Sequence, residues 1–119
     1  MSEIPRDLDR VFEALANEHR RQIIYVVGLQ PYAIHQLATM CGISLQAIHK
    51  HIKILETARL VKRRKIGRTN FLTLDRKGVR SLQRWLGQYH AYWGSEEETL
   101  ENYEAFLRKP RRRDRKEKR

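Results

Sequence analysis

Residues 44–74 read SLQAIHKHIKILETARLVKRRKIGRTNFLTL, and the parsing of this stretch decides the fold. Its first half has helical spacing. Leu45, Ile48, Ile52 and Leu55 recur at steps of three and four, which defines one buried stripe. Ser44 precedes them, a residue whose hydroxyl can satisfy an orphan N–H of the first turn. Gln46, His49, Lys50 and Lys53 share the opposite face, and the helix has no acid before Glu56. From Leu60 the period shifts. Leu60 to Ile66 and Thr69 to Leu74 read as two strands joined at Gly67-Arg68, where Gly67 can supply the positive φ of a tight hairpin. Arg59, Lys62, Arg63, Arg64, Lys65 and Arg68 make this hairpin strongly basic. A helix with a cationic outer face followed by a basic hairpin outlines a winged helix-turn-helix, with the helix in a major groove and the hairpin along the backbone or in a minor groove. Solvated lysines on a surface helix and charged edge strands that resist aggregation are the bland alternative for each half alone. Their adjacency favours nucleic acid.

The segment upstream fits that outline. Leu8, Val11, Phe12 and Leu15 give a first helix one apolar face, and Asn17 can cap a second that buries Ile23, Ile24 and Val27. Gly28 and Pro31 stop the second helix, and a third, from about Ala33 to Met40, buries Ile34, Leu37 and Ala38. Cys41-Gly42-Ile43 is then the turn between the two helices of the motif, with Gly42 reversing the backbone and Ile43 filling the angle.

Downstream, Asp75 can cap a long helix through Gly78 to about Trp93. Its apolar positions are Val79, Leu82, Trp85, Leu86, Tyr89 and Tyr92 or Trp93. So large an aromatic stripe on a small domain points to a homodimer interface shared with Leu8, Val11, Phe12 and Leu15 of the first helix; packing within its own domain is the alternative. Ser95 with Glu98 has capping-box spacing and opens a last helix whose apolar face is Leu100, Tyr103, Phe106 and Leu107. The expected organisation is a mainly α winged helix-turn-helix with a small β-hairpin over residues 1–107, its N- and C-terminal helices forming the dimer interface. A disordered basic tail over 108–119 completes it.

The charge balance supports a polyanionic partner. The 119 residues carry a formal net charge of +11 and have a pI near 10.3. Residues 44–80 hold eleven Lys/Arg against Glu56 and Asp75, and residues 108–119 hold nine against two acids, so the rest of the chain is net acidic. The positive charge is localised, as a docking surface requires. A single cysteine, Cys41, excludes an internal disulfide; it is expected to be a small buried hydrophobe rather than a redox sensor. No apolar run reaches membrane-spanning length and MSEIPRDLDR lacks signal-peptide character, so no membrane partner is expected and the cytoplasm is the default.

Catalysis and metal binding find no motif. His49 and His51 are two apart and diverge on a helix; His19, His35 and His90 stand alone. No nucleophile elbow, phosphate loop or carboxylate pair is present, so no enzyme, cofactor or metal is expected. RNA is disfavoured because no aromatic residues interleave with the basic ones on the helix at 44–57.

FEALANEHRRQII, ISLQAIHKHIKILETARLV and RRKIGRTNFLTL together resemble the arsenical-resistance-repressor (ArsR) family of bacterial winged-helix regulators, over about residues 7–93. The resemblance implies a homodimeric repressor on an inverted-repeat operator. VRSLQRWLGQYHAYWGSEEETLENYEAFL is similar to a branch that lacks metal ligands and carries an extra C-terminal helix. PYAIHQLATM has no cysteine where metal-sensing members have a Cys-containing pair, Asp75 and His90 make no matching set, and His49 stands where relatives commonly have a small hydroxyl residue. The expected DNA-binding set is Gln46, His49 and Lys50 at base edges, with Ala47 beside them. Ser44, Lys53, Lys62, Arg63, Arg64 and Lys65 are expected at phosphates, and Arg68 at the minor groove. A winged-helix protein-interaction module working through the aromatic helix, and a ligand- or metal-sensing repressor with an unrecognised site, stay open as alternatives.

Overall fold

The computed structural model describes residues 7–109, without the side chains of Asp7 and residues 90–93. Six helices and three short strands follow in the order α1 (Asp7–Leu15), α2 (Glu18–Val27), β1 (Tyr32–Ala33), α3 (Ile34–Cys41), α4 (Leu45–Thr57), β2 (Val61–Ile66), β3 (Thr69–Leu74), α5 (Arg76–Trp93) and α6 (Glu96–Arg108). The chain divides within α5 into two compact units, Met1–Trp85 and Leu86–Arg119.

In the first unit the helices close around one core. Ile48, Ile52 and Leu55 of α4 are fully buried among Val11, Ala14, Ile23, Leu37, Leu60 and Leu72. Burying each aliphatic side chain of this size contributes roughly 1.5–3 kcal/mol. The three α4 residues therefore fix the rotation of the helix about its axis. Leu45, expected in the same stripe, is instead 53% exposed. It is the first helical residue, one turn ahead of the core contacts, and points past them.

The helix boundaries follow local chemistry. Asn17 Oδ1 accepts from the Arg20 N–H and starts α2, and Ser44 Oγ accepts from the Ala47 N–H at 3.1 Å and starts α4. Gly42 ends α3 in the left-handed region (φ 69°), and the Ile43 N–H reaches back to Ala38 O, closing a Schellman turn between α3 and α4. Ile43 packs against the core from that turn.

The sheet has the order β1-β3-β2, antiparallel throughout. Gly67 and Arg68 make the two-residue turn with Ile66 opposite Thr69, and Gly67 has the positive φ. Strand β1 has no signal in the sequence pattern. Two residues after Pro31 carry no periodicity, and Tyr32 and Ala33 become a strand by pairing with Leu72 and Phe71.

The surface expected for a second copy is partly consumed by the chain's own core. Leu8 and Val11 are buried, and Leu15, Val79 and Leu82 lie partly buried against the core. The helical spacing marks these positions as apolar, and the layer that covers Leu8 and Val11 here belongs to the same chain. Phe12 stays 41% exposed and meets Trp85 edge-on with ring centroids 5.1 Å apart. In the second unit Leu86 is exposed and Tyr89 half-buried. Ser95 and Glu98 form the expected capping box, Ser95 Oγ accepting from the Glu98 N–H and the Ser95 N–H donating to Glu98 Oε1. Leu100, Tyr103, Phe106 and Leu107 all remain exposed on α6. The expected side chains of Tyr92 and Trp93, and the tail from residue 110 onward, lie outside the described residues.

The junction between α4, the hairpin and the start of α5 is closely packed. A second Schellman turn ends α4, with the Leu60 N–H bonded to Leu55 O, and it holds Arg59 at φ 59°. Buried Gly78 packs onto this turn. Its N–H donates to Arg59 O at 2.8 Å, and an added Cβ would lie 2.6 Å from Ala58 O and 2.7 Å from Arg59 O. Backbone carbonyls cannot move aside as side-chain ends can. Gly78→Ala is expected to cost about 1–3 kcal/mol, visible as a lower urea midpoint with an unchanged slope. An unchanged midpoint would show that the turn has slack.

Candidate nucleic-acid interface

The outer face of α4 carries the residues singled out from the sequence. Ser44, Gln46, His49, Lys50 and Lys53 are exposed, Ala47 is half-buried, and exposed Leu45 joins them. Spacing alone places Leu45 with the core. Its place at the very start of the helix was the available signal that it could face outward. At a helix that enters a major groove, such a side chain suits the methyl group of thymine. Ser44 uses a hydroxyl lone pair for its cap. Its O–H proton stays available as a donor to a phosphate.

The hairpin divides its basic residues between two faces. Arg63 stands opposite Leu72, which is buried, whereas Arg64 stands opposite Phe71 and Lys62 opposite Thr73. Directly opposed residues share a face. Arg63 and Lys65 therefore lie on the core side of the hairpin, and Lys62 and Arg64 on the other. Arg63 Nε donates to Glu56 Oε2 at 3.0 Å, with both side chains about a third exposed. A surface ion pair of this kind contributes at most about 1 kcal/mol. Its effect is geometric, tying β2 to the last turn of α4. Lys65 and Arg68 at the tip are exposed, whereas Lys62 lines a pocket with Asp75, Arg76, Lys77 and Arg80 at the base of the hairpin. The structure thus groups Lys62 with the start of α5 rather than with α4.

Behind α4 a polar staple sets its position. Arg20 Nε donates to Ala14 O at 2.7 Å and Nη2 donates to Glu13 O, while Nη1 lies 3.0 Å from His51 Nδ1. A guanidinium only donates, so His51 Nδ1 accepts and its ring proton sits on Nε2. One side chain of α2 thereby joins the end of α1 to the middle of α4. The His19 ring lies 5.7 Å from that of His51. Beside this staple Lys53 and Ile54 open onto a hollow of about 230 Å³ with Arg10, Glu13 and Thr57.

The other candidate chemistry is quiet. Cys41 is half-buried with its thiol 3.9 Å from Gln22 Oε1, and burial pushes its pKa up. That makes the reactive thiolate scarcer. Among the described residues no group of three or more His, Cys, Asp or Glu is placed to hold a metal ion. No helix among them is long and apolar enough to cross a membrane.

Comparison with known proteins bears on this geometry. The model of the arsR family of bacterial regulatory proteins matches residues 17–63. The HTH-type transcriptional regulator Rv2034 of Mycobacterium tuberculosis is 36% identical over 84 residues, covering 71% of this chain and 78% of that protein. An ArsR-like transcriptional regulator from Rhodococcus sp. RHA1 superposes with a TM-score of 0.67 at 29% identity, covering 82% of this chain and 92% of that one. The solution structure of a homodimeric winged helix-turn-helix DNA-binding domain, Mb0332 from Mycobacterium bovis, superposes with a TM-score of 0.58 at 25% identity, covering 71% and 81%.

The staple has a consequence for pH. Burial lowers the His51 pKa below 6.5, with the Arg20 guanidinium and the His19 ring adding to the effect. As pH falls through about 6.5 the unfolded chain takes up this proton before the folded one does. The His51 contribution to stability is thus present above that pH and lost below it. Urea unfolding at pH 5.5 is expected to show a lower midpoint than at pH 7.5, with a smaller drop in His51→Gln. An equal drop in that variant would assign the effect to other groups.

Proposed function

Because this chain belongs to the ArsR family of winged helix-turn-helix transcriptional regulators, we propose that it binds double-stranded DNA sequence-specifically, as a homodimer on an inverted repeat. The observation that carries this reading is the continuous exposed face of Leu45, Gln46, His49, Lys50 and Lys53, on a helix whose rotation is fixed by Ile48, Ile52 and Leu55. Gln46 suits adenine, Lys50 suits the acceptors of guanine, and His49 and Leu45 flank them. Ser44, with Ala47 behind it, and Lys53 meet phosphates at the groove edge. Lys65 and Arg68 at the hairpin tip reach the adjacent minor groove, and Arg63 holds the hairpin to α4. This reading assigns the chain no reaction and no metal, and repression is the mode the family implies.

The homodimer is supported by the exposed apolar side chains that each unit carries. Phe12 in the first and Leu86, Leu100, Tyr103, Phe106 and Leu107 in the second are more than single surface hydrophobes. A two-fold dimer places its half-sites about one helical turn, ~10 bp, apart or a multiple of that.

Selection of genomic fragments by the purified protein at near-physiological salt tests the reading, with an inverted repeat as the expected product. Binding without sequence preference, abolished as salt rises, would refute it. On the selected site Gln46→Ala should cost about 1–3 kcal/mol and relax the preference at one base pair. Lys53→Ala should instead weaken all sequences alike and lower the salt slope by about one. Leu100→Asp/Phe106→Asp is expected to halve the mass seen by light scattering, and an unchanged mass would move the interface elsewhere.

A further inference from the structure

A pocket of about 260 Å³ lies where the turn after α4 meets the first turns of α5, lined by Ala58, Arg59, Lys77, Gly78, Arg80, Ser81 and Arg84. Four of these side chains are cationic and none is acidic. Three arginines of the first unit are engaged: Arg20 with Ala14 O and His51, Arg21 with Leu15 O, and Arg63 with Glu56. Arg59, Lys77, Arg80 and Arg84 make no side-chain hydrogen bond or ion pair among the described residues. Four like charges around one small concavity repel one another, and a bound anion removes that repulsion.

The amides at the start of α5 do not explain the cluster. The Lys77 N–H is bonded to Asp75 Oδ1 and the Gly78 N–H to Arg59 O. With these two amides occupied, the donors the pocket offers are its side chains, three guanidinium groups and one ammonium, the groups that bind tetrahedral oxyanions. Arg59 reaches the pocket from a left-handed position (φ 59°), where most L-residues lose roughly 1–2 kcal/mol and glycine does not. A neighbouring pocket shares Lys77 and Arg80 and adds Lys62, Arg76 and the one acid Asp75, so its lining is also net positive.

This pocket lies beyond the base-reading start of α4, little more than one helical turn past Lys53. It lies at the C-terminal end of α4, thirteen residues or about 20 Å from Ser44. It also lies at the base of the hairpin, six residues or about 20 Å from Gly67. We propose that the pocket formed by Arg59, Lys77, Arg80 and Arg84 is a binding site for a phosphoryl group. The inference rests on the local cluster and does not require the DNA reading proposed above. The phosphoryl group has two sources, a small soluble phosphate compound or a phosphate of a nucleic-acid backbone, and one experiment separates them.

The full chain, its Arg80→Gln/Arg84→Gln variant and a Lys65→Gln/Arg68→Gln control at the hairpin tip are titrated with inorganic pyrophosphate at constant ionic strength, following backbone amide resonances. The expected result is saturable shifts centred on residues 58–60 and 77–84, retained in the control and weakened by about tenfold or more in the pocket variant. The same three proteins are then titrated with a duplex of mixed sequence over a range of salt. A salt slope unchanged in the pocket variant assigns the site to a soluble phosphate compound. A slope lowered by about two assigns it to backbone phosphates. Shifts that fail to saturate, that spread equally over the hairpin tip, or that survive in the pocket variant would overturn the proposal.

Discussion

The rotation of α4 about its own axis is the constraint on which the rest of the molecule depends. Ile48, Ile52 and Leu55 are buried completely, and a helix that gives up three such side chains loses several kcal/mol. Once that face is fixed, the identity of the outward face follows from 3.6 residues per turn. Arg20 then sets the position of the helix along the surface, joining Ala14 O and His51, and Glu56 carries it on to Arg63 of the hairpin. Core packing sets orientation, and a few directional polar contacts set register between elements. The division suits a surface whose side chains must meet a rigid duplex from one fixed angle.

Much of this was legible in the residues because it is governed by short-range chemistry. Asn17, Ser44 and Ser95 cap their helices through bonds spanning three residues. Gly42 and Gly67 stand where the backbone takes a positive φ. Features decided by partners distant in sequence were harder to read. Strand β1 exists because β3 offers an edge to Tyr32 and Ala33, which no pattern in two residues can announce. Leu8 and Val11 show the same limit. An apolar stripe declares that it will be covered, and only the three-dimensional arrangement says by which surface. Leu45 erred in the other direction, because a periodicity counts positions without knowing where the packed layer ends.

Charge was legible in amount and less so in placement. The basic run from Arg59 to Arg68 reads as one block in the sequence. Strand alternation and the turn after α4 divide it into four groups: Arg63 and Lys65 on the core side of the hairpin, Arg64 on its other face, Arg68 at the tip, and Arg59 and Lys62 at the base beside α5. The close approach of Gly78 to the carbonyls of Ala58 and Arg59 brings the base group together. A glycine with no chemistry of its own thus decides which charges become neighbours.

The two-residue turn at Gly67-Arg68 also limits how the hairpin can change in length over evolution. Strand side chains alternate with a period of two. One extra residue in a single strand would force a bulge, and one in each strand would carry the tip to the opposite face. Growth by two residues in each strand restores the original facing and carries the tip about 7 Å further out. Natural or engineered hairpins on this framework are thus expected to differ by whole pleats, with reach along the duplex available only in steps of that size.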